Sequence, residues 1–246
     1  METTVKRMTL LDHIIELRNR LMWSAGAVLL FTILAFVFAN QLFGILTRPA
    51  GNTQFVYLEV PSMITIYMQV CLTAGIIAAM PVIIYQFIMF IAPGLKPNEK
   101  KYVYIIIPWV FVMFLLGVGF GYFLFLPNAI NFLTTFANNI ATPMITIDSY
   151  IGFLTRMLLV LGLIFETPVI TTFLARMGIV SWRWLRNKWK IAIIGAFVIS
   201  AVITPTPDPI NQTIVAAPLI VLYGLSIILA WMVQRRKPKV EPSPIG

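Results

Sequence analysis

Acidic residues are scarce in this chain: nine Asp and Glu stand against eighteen Lys and Arg in 246 residues, with one histidine and one cysteine. The single Cys71, inside an apolar run, excludes a disulfide framework and a thiolate metal site within one chain. His13 has no second His, Cys or carboxylate at metal or triad spacing, so neither a metal nor a cofactor is expected, and His13 reads as an interfacial residue. A hydrolase working inside a membrane would need a nucleophile with a base, or paired acids at one depth; the sequence supplies neither. No motif recurs at a period of 20 to 50 residues, which excludes a solenoid and an inverted-repeat carrier. Charge of either sign is sparse at 11%, against 59% hydrophobic residues and a mean hydropathy of +0.90. Such a composition belongs to a chain dissolved in lipid. The net charge of +9 would suggest nucleic acid in a soluble protein. Here it sits in loops beside apolar runs, where anionic lipid and topology account for it, and no nucleic-acid partner is expected.

Sixteen of the eighteen cations fall into four clusters: Lys6 to Arg20, Lys96 to Lys101, Arg176 to Lys190, and Arg235 to Lys239. Only Arg48 and Arg156 lie elsewhere. Lys and Arg are retained on the cytoplasmic side of short loops, so both termini and two internal loops are expected inside, and an even number of spans follows. Apolar length against the roughly 20 residues needed to cross a bilayer gives six: Leu21 to Phe43, Ser62 to Ala92, Tyr102 to Leu126, Tyr150 to Met177, Trp189 to Thr204 and Ile210 to Val233. The expected fold is an all-α integral membrane protein with six transmembrane helices, N-in and C-in. It is read as a concave, kinked bundle with two short C-terminal spans, occupying residues 1–236 as one domain. Residues 237–246 read as a disordered cytoplasmic tail.

The spans differ in length. The uninterrupted apolar run Ile191 to Ile203 corresponds to about 20 Å of helix at 1.5 Å per residue, short of the hydrocarbon core. Pro81, Pro108, Pro168 and Pro218 each remove a backbone donor within or near a span and should bend it. Gly44 to Pro61 and Pro127 to Ser149, nearly free of positive charge and with polar Asn138, Asn139 and Thr142 in the second, read as external caps.

Very few groups can carry chemistry. Glu166 is the one carboxylate deep inside an expected span, a position costly in hydrocarbon and functional by default. It must face protein, water or a partner, and a polar group such as Gln69 or Gln86 on a neighbouring helix would give it a purely structural role. Arg156, ten residues earlier, lies about 15 Å away along the axis and cannot pair with it; it is expected to snorkel toward the external interface. Met8 to Leu21 reads as an amphipathic helix along the cytoplasmic interface, with Leu10, Ile14, Leu17 and Leu21 on one stripe and Thr9 as its cap. Asp12 and Glu16 share a face, and Glu16 stands i, i+4 from Arg20, as in a weak surface ion pair. Glu99 follows the next helix end. On so basic a surface Glu16 and Glu99 stand out as acceptors for a cationic ligand.

These residues carry a resemblance. His13-Ile14-Ile15-Glu16-Leu17-Arg18-Asn19-Arg20-Leu21 resembles the HLxELRxRL signature of TatC, the polytopic subunit of the twin-arginine protein translocase. Phe90-Ile91-Ala92-Pro93-Gly94-Leu95 with Glu99 is similar to its first cytoplasmic loop. Ser149-Tyr150 with Gly162-Leu163-Ile164-Phe165-Glu166-Thr167-Pro168-Val169 resembles its fourth helix. Thr204-Pro205-Thr206-Pro207-Asp208-Pro209 through Gln212, Pro218 and Leu222-Tyr223 resembles its last two. The match runs from about residue 9 to residue 233. Leu161 stands where Phe is common, and Gly224 replaces an acid that often follows the Leu-Tyr pair.

The resemblance implies a receptor and not an enzyme: a core subunit that recognises Arg-Arg signal peptides of folded cargo and drives export with the proton-motive force. It implies assembly with single-span TatA and TatB, or one bifunctional TatA-type protein, and self-association in a multimeric complex. The setting would be the cytoplasmic membrane of a prokaryote rather than a thylakoid. Glu16 and Glu99, with Arg18, Phe90 and Pro93, become the signal-peptide site; Glu166 becomes an embedded polar residue; Thr204, Asp208 and Gln212 mark where partner helices dock. A proton-coupled small-molecule transporter would also use one buried Glu, but would normally show repeat symmetry.

Overall fold

The computed structural model describes residues 10–51, 54–59, 61–91, 97–135, 144–204 and 209–235, with side chains throughout except at 10, 91, 97–105 and 211. Ten α-helices follow one another in these residues: α1 Leu10–Val37, α2 Ala39–Thr47, α3 Ser62–Ile91, α4 Pro97–Phe120, α5 Leu126–Thr135, α6 Ile147–Phe165, α7 Thr167–Met177, α8 Trp182–Asn187, α9 Trp189–Ile203 and α10 Pro209–Arg235. Five stretches are long and apolar enough to cross a membrane, Leu11–Val37, Ser62–Phe90, Ile106–Thr135, Ile147–Met177 and Gln212–Arg235, and Trp189–Ile203 is a shorter sixth. The chain is an α-helical, multi-pass membrane protein with the six spans expected from charge and apolar length.

Several boundaries differ from expectation. Nothing between Leu10 and Val37 interrupts the helix, so the amphipathic segment ending at Leu21 is the first part of the first span and not a separate interfacial element. No proline occurs there, and a continuous backbone ladder extends more cheaply than a new helix nucleates. Of the two C-terminal spans expected to be short, only α9 is: its 15 residues reach about 22 Å. α10 runs for 27 residues through Pro218, because polar Asn211, Gln212 and Thr213 extend it ahead of its apolar run.

Proline acts unequally. α3, α4 and α10 continue through Pro81, Pro108 and Pro218, whereas Pro168 ends a helix. Pro127 has a third effect. It leaves the Phe123 carbonyl without its i+4 donor, and Gly121–Phe125 widens into a π-helical turn joining α4 to α5. The external segments contain more order than caps alone. α2 takes up Gly44 to Thr47, α5 takes up Pro127 to Thr135, and Phe55–Val56 pairs in parallel with Ile145–Thr146, a small sheet in an otherwise helical chain. Asn138, Asn139, Thr142 and the tail 237–246 lie outside the described residues.

The chain divides into two compact units, residues 1–112 with 142–159, and residues 113–141 with 160–246. In the first, α1 packs along α3 at Gly75. A Cβ at Gly75 would meet the backbone N and Cα of Thr32 at 2.7 and 2.8 Å, atoms that cannot swing aside. Gly75→Ala is therefore expected to force the helices apart and cost about 1–3 kcal/mol, read as a lowered midpoint of thermal unfolding in detergent. An unchanged midpoint would show that the contact yields freely. Near the external end of the same unit, the Tyr150 hydroxyl donates to the Leu46 carbonyl at 2.8 Å, and Phe55 packs on the Tyr150 ring.

In the second unit, Gly178 closes α7 at φ +83, the left-handed conformation that glycine adopts without Cβ strain. The Ser181 hydroxyl caps α8 by accepting from Trp184 N–H at 3.1 Å. Gln234 of α10 joins the two helix ends, accepting from Trp182 N–H and donating to the Ala175 and Val180 carbonyls. Ala175, Leu185 and Ala230 form a small buried cluster at this junction, flanked by Trp182, Tyr223 and Ile227.

Candidate functional site: an acidic groove between the first and third helices

Glu16 lies one turn before Arg20 on α1, and the pair is more than a solvated surface bridge. Arg20 donates through Nε and Nη2 to Glu16 Oε1 at 3.0 and 2.7 Å, and through Nη1 to Gln86 Oε1 of α3 at 3.1 Å. Four-fifths of each charged side chain is withdrawn from solvent, so the pair is better shielded from water than a surface bridge. The far oxygen, Glu16 Oε2, is enclosed and accepts no hydrogen bond. A carboxylate offers about four lone-pair positions; this one is half engaged, with its unengaged edge held in place by the arginine on the other.

Asp12, Ile15, Glu16, Asn19, Arg20 and Trp23 of α1, with Tyr85 and Gln86 of α3, line a groove of about 560 Å³ around this carboxylate. The α1 residues recur at three and four positions, as one helical face requires. Between the same two helices, and outside the groove lining, His13 stacks on Phe90, with ring centroids 4.3 Å apart and planes 18° from parallel. His13, expected at the interface without a partner, thus ties α1 to α3.

Not every expected site residue joins this group. Arg18, two positions from Glu16, points to nearly the opposite face of α1 and lines a separate hollow of about 400 Å³ with Ile14, Leu17 and Leu21. Glu99 falls in the first turn of α4, but its side chain, like Pro93 and Asp208, lies outside the described residues. Gln86, Tyr85, Asn19 and Trp23 were missed as site residues. The i, i+4 spacing of Glu16 and Arg20 pointed to the pair, whereas no local pattern signals a partner 66 residues away.

Glu166 stands between α6 and α7. Pro168 has no N–H for the Ile164 carbonyl, and the Thr167 hydroxyl donates to that carbonyl instead, at 2.6 Å. The break leaves Glu166 4% exposed. Neither carboxyl oxygen makes a hydrogen bond of ordinary geometry, although the Phe114 backbone lies alongside. α4 and α6 meet closely here: a Cβ at Gly117 would stand 2.5 Å from the Leu161 carbonyl oxygen, and one at Gly162 would strike the Phe114 ring. The two amides considered as partners for Glu166 are engaged elsewhere. Gln86 accepts from Arg20, and Gln69 donates to Thr155 at 2.9 Å.

At the turn between α9 and α10, Ser200 donates to the Gln212 carbonyl, Gln212 Nε2 to the Phe197 carbonyl at 3.0 Å, and buried Thr204 to the Ser200 carbonyl at 2.9 Å. Ser200 and Gln212 therefore stitch the short helix to its neighbour, while Thr204 bonds back onto the last turn of α9 itself. Ser200 is an addition that the sequence did not suggest. Among the described residues no three His, Cys, Asp or Glu side chains gather as a metal site would require.

The family described as "Sec-independent protein translocase protein (TatC)" matches residues 12–218. The chain belongs to the TatC family. It is 36% identical over 236 residues to the TatC protein of Carboxydothermus hydrogenoformans, covering 95% of this chain and 96% of that one. It is 38% identical over 224 residues to the TatC protein of Helicobacter pylori strain J99, covering 90% and 88%. Its fold is similar to a crystal structure of the twin arginine translocase receptor TatC, with a TM-score of 0.78 at 35% identity over 91% of this chain and all of that one. A second crystal structure of that receptor, in DDM, gives 0.79 at 36% identity, covering 89% and 99%. TatC proteins are components of a protein translocase, not of a catalytic enzyme family, and the relatives named here come from bacteria.

Proposed function

We propose that this chain is the signal-peptide receptor and core subunit of a twin-arginine translocase, and that the groove between α1 and α3 receives the arginine pair. The observation that carries this reading is the half-engaged Glu16 carboxylate, enclosed in a groove with Asp12 nearby and set in a strongly basic cytoplasmic face. A carboxylate with one enclosed oxygen still lacking a donor suits a planar guanidinium better than a compact ammonium, because the guanidinium makes directed, paired N–H contacts. Glu99, in the first turn of α4, supplies the second acidic contact, and Arg18, Phe90 and Pro93 complete the proposed signal-peptide site. TatA and TatB, or one TatA-type protein, dock near Thr204, Asp208 and Gln212. Several copies of the chain assemble in the cytoplasmic membrane, and the proton-motive force drives export of folded cargo.

Binding of two synthetic signal peptides to the purified protein tests the reading. The Arg-Arg peptide should bind at least about tenfold more tightly than its Lys-Lys counterpart, the discrimination expected from losing one charge-assisted contact of about 1.5–3 kcal/mol. Equal affinities would remove the guanidinium-specific account.

A further inference from the structure

Arg156 is the one cation of a spanning segment that opposes the inside-positive pattern, and the receptor reading gives it no task. It is exposed on α6. Its side chain turns back toward the start of the helix, with Nε donating to the Gly152 carbonyl at 2.8 Å. The guanidinium is thereby held near the level of Gly152, about 7.5 Å in from Ile147, where a long basic side chain reaches the headgroup region. Among the described residues no carboxylate lies within ion-pair distance of it. Asp148, the nearest acid along α6, lies four residues before the level of Gly152, about 6 Å along the axis, and forms no ion pair with Arg156.

A second donor converges on the same place. The position a Cβ would take at Gly152 lies 3.8 Å from Gln69 Nε2 of α3 and 3.9 Å from Arg156 Nη2. The missing side chain therefore leaves a notch between two helices, with an amide and a guanidinium on its walls. Gln69 is fixed in this orientation: Nε2 donates to the Thr155 hydroxyl, which is 2% exposed and itself donates to the Ile151 carbonyl at 2.7 Å. One hydrogen on Gln69 Nε2 and the Nη groups of Arg156 remain to point into the notch. Two oxygens of one phosphate can engage both walls, and an anion there neutralises a cation that has no carboxylate within ion-pair distance among the described residues.

We infer that the notch formed by Gly152, Arg156 and Gln69 binds the phosphate of an anionic phospholipid in the external leaflet. A lipid is the fitting occupant because the notch opens on an exposed, membrane-spanning helix face, where phosphodiester headgroups are the abundant anions. A net-anionic headgroup such as phosphatidylglycerol is favoured over a zwitterionic one, since no carboxylate is paired with Arg156 to receive an ammonium.

Native mass spectrometry of the full-length protein in detergent, titrated separately with phosphatidylglycerol, phosphatidylcholine and inorganic phosphate, tests this inference. It proceeds independently of any signal peptide, so its failure leaves the receptor reading untouched. Arg156→Gln should remove one tight phosphatidylglycerol site, weakening it tenfold or more. Gly152→Val should remove the same site by filling the notch while both donors remain, and a Cβ at 152 makes only ordinary contacts. Arg156→Lys should retain part of the affinity. Arg48→Gln, also external, should change nothing. The inference is overturned if Arg156→Gln keeps the full set of lipid sites, if phosphatidylcholine binds as tightly as phosphatidylglycerol, or if inorganic phosphate does so and shows a free-ion site. Should Gly152→Val misfold, Arg156→Gln decides.

Discussion

Glu16→Ala is expected to lower affinity for an Arg-Arg signal peptide by tenfold or more while leaving insertion and helix packing intact. The carboxylate contributes a charge-assisted contact of about 1.5–3 kcal/mol, and its removal also strips Arg20 of its partner. An unpaired Arg20, still held by Gln86 at 3.1 Å, would then repel the arriving guanidinium instead of shaping its acceptor. Glu99→Ala should likewise weaken binding by about tenfold or more, through loss of one charge-assisted contact. Glu16→Gln should behave nearly as badly as the alanine variant, because the amide keeps the shape but not the charge. Titration of the purified protein with a fluorescent Arg-Arg peptide checks all three. Full affinity in Glu16→Ala would show that the groove is not the acceptor.

The second large effect is expected at Glu166, where a conservative and an apolar substitution should separate. Glu166→Gln should retain most export, and Glu166→Leu should cut partner crosslinking several-fold or more and export with it. The carboxyl group is 4% exposed with neither oxygen hydrogen-bonded in ordinary geometry, a costly arrangement unless a polar group arrives to use it. A glutamine can accept that bond and a leucine cannot. A proton relay would need further titratable groups at successive depths, whereas, apart from Arg156 and ionisable residues near the span ends, the polar side chains of the spans are mainly amides and hydroxyls such as Gln69, Gln86 and Thr171. If Gln abolishes export as completely as Leu while crosslinking is unchanged, ionisation is essential and the polar-pocket account fails.

The sequence carried those features whose physics is local or one-dimensional. Six spans follow from apolar length and from cations nearly absent from external loops, and a bend near Glu166 follows from Pro168, as it was equally expected at the other three prolines. Why Pro168 ends a helix while Pro81, Pro108 and Pro218 do not depends on packing that no periodicity encodes. The π-helical turn before Pro127 and the two-residue strands were invisible for the same reason. In the groove, Glu16 and Arg20 were legible as an i, i+4 pair, since one helix fixes its own faces. That pattern cannot say which helix lies opposite, so Gln86 stood only as one of two possible structural partners of Glu166, whereas it accepts from Arg20. Arg156 showed the same limit: its depth was readable, but its convergence with Gln69 at Gly152 required α3 to lie against α6.

Site-specific photocrosslinking tests the receptor account most directly. A photoreactive residue placed at Asn19 or at Tyr85, on opposite walls of the groove, should capture an Arg-Arg signal peptide, lose most of that yield with the Lys-Lys peptide, and lose it again in a Glu16→Ala background; the same residue at Thr134 in α5 should capture neither. Equal yields from both peptides at Asn19 and Tyr85, or capture that persists undiminished without Glu16, would contradict the assignment of the α1–α3 groove as the site that reads the arginine pair.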